Sequence, residues 1–139
     1  MRFLPNLNST RRTILLSTWG LFTGLALLLV TAGVYSTLVG IRAELKQLPT
    51  LVSGGITTAY YAGFLLGSWY TLRALKQVGH IRVYAALASL LSASVLITGV
   101  YDSPIVWILM RSSTGFCFAG LYVVAESWLN GLATNTFRG

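Results

Sequence analysis

From Ile14 to Val39 the chain runs for 26 residues without a charged side chain. About 20 apolar residues in a helix cross the hydrocarbon core of a bilayer. Three further apolar runs follow, Leu51–Leu72, Val83–Tyr101 and Ile105–Leu129, and they use up most of a chain of 139 residues. It is 55% hydrophobic and 9% charged, where a soluble domain carries about a quarter charged residues. So short a chain cannot hide that much apolar surface in one aqueous core. Each run is continuously apolar rather than alternating over about ten residues, so helices and not a barrel are expected. The sequence predicts an all-α integral membrane protein: one membrane domain over 1–139 with four transmembrane helices, near 14–39, 51–72, 83–101 and 105–129. A cleaved signal peptide would also show a basic start, an apolar stretch and small residues such as Ala32 and Gly33. Its apolar region would be only about 7–15 residues long and would not be followed by further spans. The first span is therefore read as uncleaved.

Ten Lys and Arg against three acids give a net charge of +7. Nucleic-acid binding would gather these cations on one soluble face; here they stand between apolar runs, so no nucleic-acid partner is expected. They report topology instead. Seven lie in the N-terminal lead (Arg2, Arg11, Arg12), the stretch after span two (Arg73, Lys76, Arg82) and the tail (Arg138). Two, Arg42 and Lys46, lie on the other side. The positive-inside rule then puts both termini in the cytoplasm, in a multi-pass protein of the cytoplasmic (inner) membrane among anionic lipids. Asn8, Ser9 and Thr10 can cap the first helix. Asp102-Ser103-Pro104 reads as a tight turn, with proline suited to the first turn of the next helix. The single Cys117 lies within an apolar run and excludes an internal disulfide.

Between spans two and three, Gly67–Arg82 forms a polar break. Gly67 and Gly79 bracket it, Arg73, Lys76, His80 and Arg82 charge it, and Trp69 and Tyr70 stand where apolar gives way to basic. Aromatics and cations in that order mark a membrane–water interface. Small residues recur at helix-packing spacing: Gly20 and Gly24, Gly63 and Gly67, Gly115 and Ala119. Such pairs let membrane helices approach closely, here most simply within one subunit.

Span four carries Arg111, Gly115, Ala119, Tyr122 and Glu126, spaced to share one helix face. Arg111 and Glu126 are roughly 22 Å apart along the axis and cannot pair. An ionisable group within a span is expensive and normally faces protein or a wet cavity; the alternative is snorkelling to the headgroups. Glu126 suits snorkelling. Arg111, on the face with the small residues and Tyr122, suits a cavity better. Tyr35, Tyr60, Tyr61, Thr31 and Thr57 are polar side chains that could line it, although such groups more often bond nearby backbone. Nothing points to an enzyme. His80 has no second His, Cys or carboxylate at metal-ligand spacing, no nucleophile set or phosphate-cradling loop is present, and no metal or cofactor is expected.

These residues resemble the N-terminal part of a major facilitator superfamily transporter. The stretch L-M-R-S-S-T-G-F-C-F-A-G is similar to that superfamily's fourth-helix motif, an arginine followed four residues later by glycine: Arg111 and Gly115, with Thr114 where glutamine often stands. Gly67–Arg82 resembles the loop motif G-x-x-x-D-R-x-G-R-R/K, with Gly67 and Gly79 as its glycines and Arg82 as its closing cation. Its glycines lie 12 apart rather than 7, and the aspartate is missing. G-H-I-R together with A-E-S-W-L-N (Ala125–Asn130) is similar to a poorly characterised bacterial branch. The resemblance implies spans one to four of twelve, arranged as inverted three-helix repeats. It implies a secondary transporter of a small solute, with Arg111, Glu126, Tyr122, Tyr35 and Tyr60 as substrate or ion-coupling candidates. It also implies a conformational loop at Gly67, Arg73, Lys76, Gly79, His80 and Arg82, and later helices of the same transporter as partners. On this reading the chain is a fragment, ending within what would be the loop before span five. The alternative is a stand-alone four-helix membrane protein: a small multidrug-type dimeric pump, or a non-transporting membrane partner. The small pumps rely on a glutamate in span one, and Ile14–Val39 holds no acid.

Overall fold

A computed structural model describes the backbone of residues 7–136 and, within that range, the side chains of residues 19, 20 and 22–131. Arg2 and Arg138, and the side chains of Asn8, Ser9, Thr10, Arg11 and Arg12, lie outside the described residues. Four helices follow one another: α1 (Leu7–Leu45), α2 (Thr50–Val78), α3 (His80–Val100) and α4 (Pro104–Thr136), with no strand among the described residues.

The helices are longer than the apolar runs. α1 has already begun at Leu7, so the cap expected at Asn8–Thr10 falls inside it. The polar break after span two is not a loop. α2 continues through Leu72-Arg73-Ala74-Leu75-Lys76-Gln77, all strong helix formers, and stops only at Val78. Gly79 alone makes the turn, at φ 90° and ψ 159°, and His80 opens α3. That backbone region is essentially reserved to glycine. Pro104 is the first residue of α4, where its missing N–H would be unpaired in any case.

Three of the four helices are long and apolar enough to cross a membrane: Phe22–Leu45, His80–Val100 and Pro104–Gly131. α2 is the exception to the four expected on composition. Its glycines, threonines and tyrosines dilute its apolar content, and several of them form its contact with α4.

α4 is the centre of the bundle, in contact with each of the other three helices. Half of its apolar stretch is buried, against 28% for α3 and 11% for α1. The α2–α4 contact is the most extensive and is parallel: Gly63 meets the Ser112 carbonyl and Gly67 the Phe116 carbonyl, while Gly115 meets the Tyr60 carbonyl from the other side. A Cβ on any of the three would collide with that backbone. This is close approach by small residues. Ala119 is also buried. Gly20 and Gly24, at the same spacing, make no such contact; a Cβ on either would have nothing within 4 Å. They sit on the stretch of α1 that leaves Trp19, Phe22, Leu27 and Val30 exposed.

α3 runs antiparallel to α4. Leu87 reaches Gly120, and the hydroxyls of Ser94 and Ser113 lie 2.9 Å apart. One core joins Val83, Leu87 and Leu91 of α3 to Cys117, Phe118, Leu121 and Val124 of α4. A second joins Tyr35, Val39 and Ala43 of α1 to Ile56 and Trp107. Three buried hydroxyls are satisfied locally: Ser94 donates to Leu90 O, Thr98 to Ser94 O and Thr114 to Arg111 O, as buried polar groups require.

Candidate functional site

The second core brings α1, α2 and α4 together one turn from Arg111. The Arg111 side chain is 4% exposed. Its Nη2 donates to Ser36 Oγ at 3.1 Å, and its Nε is buried without a hydrogen-bond partner. The guanidinium carbon lies 5.2 Å from the Tyr35 ring centre and 4.9 Å from that of Tyr60, within range of cation–π attraction. Tyr35 is itself held, its hydroxyl 3.1 Å from Thr98 Oγ1. Among the described residues the ion pairs are Arg42–Asp102 and Lys46–Asp102, so no acid pairs with Arg111. Beside it lies a cavity of about 370 Å³, walled by Ser36, Val39 and Glu44 of α1 and by Ser53, Ile56 and Thr57 of α2.

The structure thus brings Arg111, Tyr35 and Tyr60 into one place. Tyr122 stands further along: its ring lies 6.4 Å from Phe64, which lies 6.2 Å from Tyr60, so a file of rings runs from Arg111 along the α2–α4 face. Glu126 is exposed near the far end of α4 and takes no part in the Arg111 cluster. Thr57 lines the cavity, though its hydroxyl donates to Ser53 O; Thr31 donates to Leu27 O on its own helix. Thr114, in the glutamine position of the motif, turns back onto the Arg111 carbonyl and is fully buried.

Two end clusters flank this site. At the α1–α2 end, Asp102 accepts from Arg42 at 3.3 Å and Lys46 at 3.1 Å; Arg42 also donates to Thr98 O and lies over Trp107. At the other end, His80 Nε2 and Ser127 Oγ are 2.8 Å apart, and the His80 ring lies nearly parallel to Trp128, 6.3 Å away. Arg73 sits 3.8 Å above the Trp69 ring, and Lys76 and Arg82 are exposed. The basic stretch is therefore a helix end, one glycine and a helix start, with His80 tied to α4. The sequence did not single out Ser36, Thr98, Ser127, or Asp102 as an ion-pair centre. Each is polar within or beside an apolar run, but its partner lies between 47 and 75 positions away.

The chain is 31% identical over 119 residues to proteins described as the uncharacterised transporter YcaD, of major facilitator (MFS) type, from Salmonella arizonae and Salmonella typhi. The match covers 86% of this chain and 31% of each relative, so the chain spans about a third of their length. No family model and no solved structure matches it. The similarity, together with the apolar helices, makes this an integral membrane protein related in sequence to a transporter.

Proposed function

We propose that this chain forms the first four helices of a secondary transporter of the major facilitator superfamily, moving a small solute across the cytoplasmic membrane. Both termini face the cytoplasm, and later helices of the same transporter pack on exposed apolar faces such as Leu27, Leu29 and Val34 of α1 and Leu65 and Leu66 of α2. The observation that carries the proposal is Arg111: a buried cation within a span, unpaired by any acid among the described residues, beside a cavity lined by hydroxyls. An ionisable side chain at such a position normally serves a solute or ion path. The likeness to YcaD supports the transporter class, and the uneven spread of Lys and Arg supports the orientation.

Thiol labelling tests whether the cavity is wet. With Cys117 replaced by Ala, Ser53→Cys is expected to react with a charged, membrane-impermeant reagent applied from outside. A helical, membrane-inserted variant that reacts from neither side would contradict a solute path at Arg111. The chain reconstituted alone is expected to accumulate no solute; uphill accumulation would overturn its role as part of a larger transporter.

A further inference from the structure

We infer that the Arg111 cavity takes the carboxylate of a small organic monoanion, held by the Arg111 guanidinium. This rests on the proposal that the cavity is a solute site, and it adds the class of solute. The chain has three acids, and none neutralises Arg111. Asp102 is held by Arg42 and Lys46, Glu126 is exposed near the far end of α4, and Glu44 lines the cavity without pairing to Arg111 within 4.0 Å. An arginine has five N–H donors in a planar fork. Here one bond to Ser36 is made, and the buried Nε–H has no partner. A guanidinium grips a carboxylate with two adjacent N–H donors, and most of those of Arg111 are not taken up by Ser36. Ser36 Oγ, already within 3.1 Å of Nη2, supplies a further hydroxyl donor for the bound oxygen.

The rest of the lining narrows the class. Val39, Ala43, Leu48 and Ile56 suit an apolar body attached to the carboxylate. Ser53 and Thr57 are neutral; of the two charged side chains in the wall Arg111 is buried and Glu44 is exposed, so Arg111 sets the sign of the solute's charge. Glu44 in the same wall disfavours a second negative charge, which selects a monoanion over a dianion such as phosphate.

Benzoate, benzylammonium and benzyl alcohol share one shape and differ in charge. Their binding to the full chain in phosphatidylcholine nanodiscs can be compared by saturation-transfer NMR. Benzoate is expected to bind saturably. Arg111→Gln should weaken it at least about tenfold, the worth of one charge-assisted fork, and Arg111→Lys should weaken it too. Ser53→Phe, which fills the cavity and leaves Arg111 in place, should abolish it; circular dichroism confirms that each variant remains helical. If benzylammonium or benzyl alcohol binds in a manner sensitive to Ser53→Phe and benzoate does not, the anion is overturned while the solute cavity stands. If no probe is sensitive to Ser53→Phe, both fall. If benzoate binding disappears in phosphatidylglycerol discs, a lipid headgroup owns the site and the solute carboxylate is overturned.

Discussion

Arg111 is held in an apolar bundle by one hydroxyl bond and two tyrosine rings, which is poor compensation for a buried charge. Removing the charge while keeping an unbranched side chain should therefore stabilise the chain. Arg111→Met is expected to raise its resistance to unfolding in a detergent titration by about 1–3 kcal/mol, and to abolish benzoate binding. Lower stability would mean that the guanidinium is a structural brace for Ser36, Tyr35 and Tyr60. At this scale the sequence showed the residue and two of its neighbours. The face shared with Gly115 and Ala119 marked Arg111 as inward, and Tyr35 and Tyr60 stood out as polar groups within spans. Ser36 was not legible, because its role depends on how α1 lies across α4, a contact made 75 positions apart. The inward face continues as far as Tyr122, which packs on Phe64, and gives out at Glu126, which is exposed.

Among the elements, α2 and α4 form the rigid pair. Gly63→Ala sets a methyl against the Ser112 carbonyl, backbone that cannot yield without parting the helices. A loss of about 1–3 kcal/mol is expected, with a similar loss for Gly115→Ala, whose Cβ would meet Tyr60 O. Gly20→Ala and Gly24→Ala should cause no loss, since both glycines face open space and alanine is the better helix former; losses there equal to those at Gly63 and Gly115 would contradict this packing. The spacing of four is the same in both cases. It says that a helix can be approached closely and leaves open which helix approaches, so the sequence showed the devices but not their pairing. Gly79 is a separate case. A Cβ there has nothing within 4 Å, yet its φ of 90° is closed to other residues. Gly79→Ala is expected to cost about 1–3 kcal/mol from backbone strain alone, read in the same titration. That single-residue turn was hidden in the sequence by charge: Arg73 and Lys76 look like loop residues, whereas their long stems let a helix carry them beyond the apolar layer.

For the whole molecule, the number of helices and the class were legible because hydrocarbon thickness sets a minimum length for each apolar run. The structure adds the arrangement, with α4 central, α2 parallel to it, α3 antiparallel, and α1 held by the Tyr35–Trp107 core. It also sharpens one question. By composition α2 is the helix that does not meet the requirement for crossing a membrane, yet its parallel packing on α4 requires it to cross if α4 does. Position 45, at the end of α1, and position 80, at the start of α3, flank α2. The most direct test is thiol labelling of Leu45→Cys and His80→Cys, each with Cys117 replaced by Ala, using an impermeant reagent on right-side-out and inside-out vesicles. Position 45 is expected to react only from outside and position 80 only from the cytoplasmic side. Labelling of both positions from the same side would show that α2 does not cross, and would contradict the four-span bundle on which the Arg111 site depends.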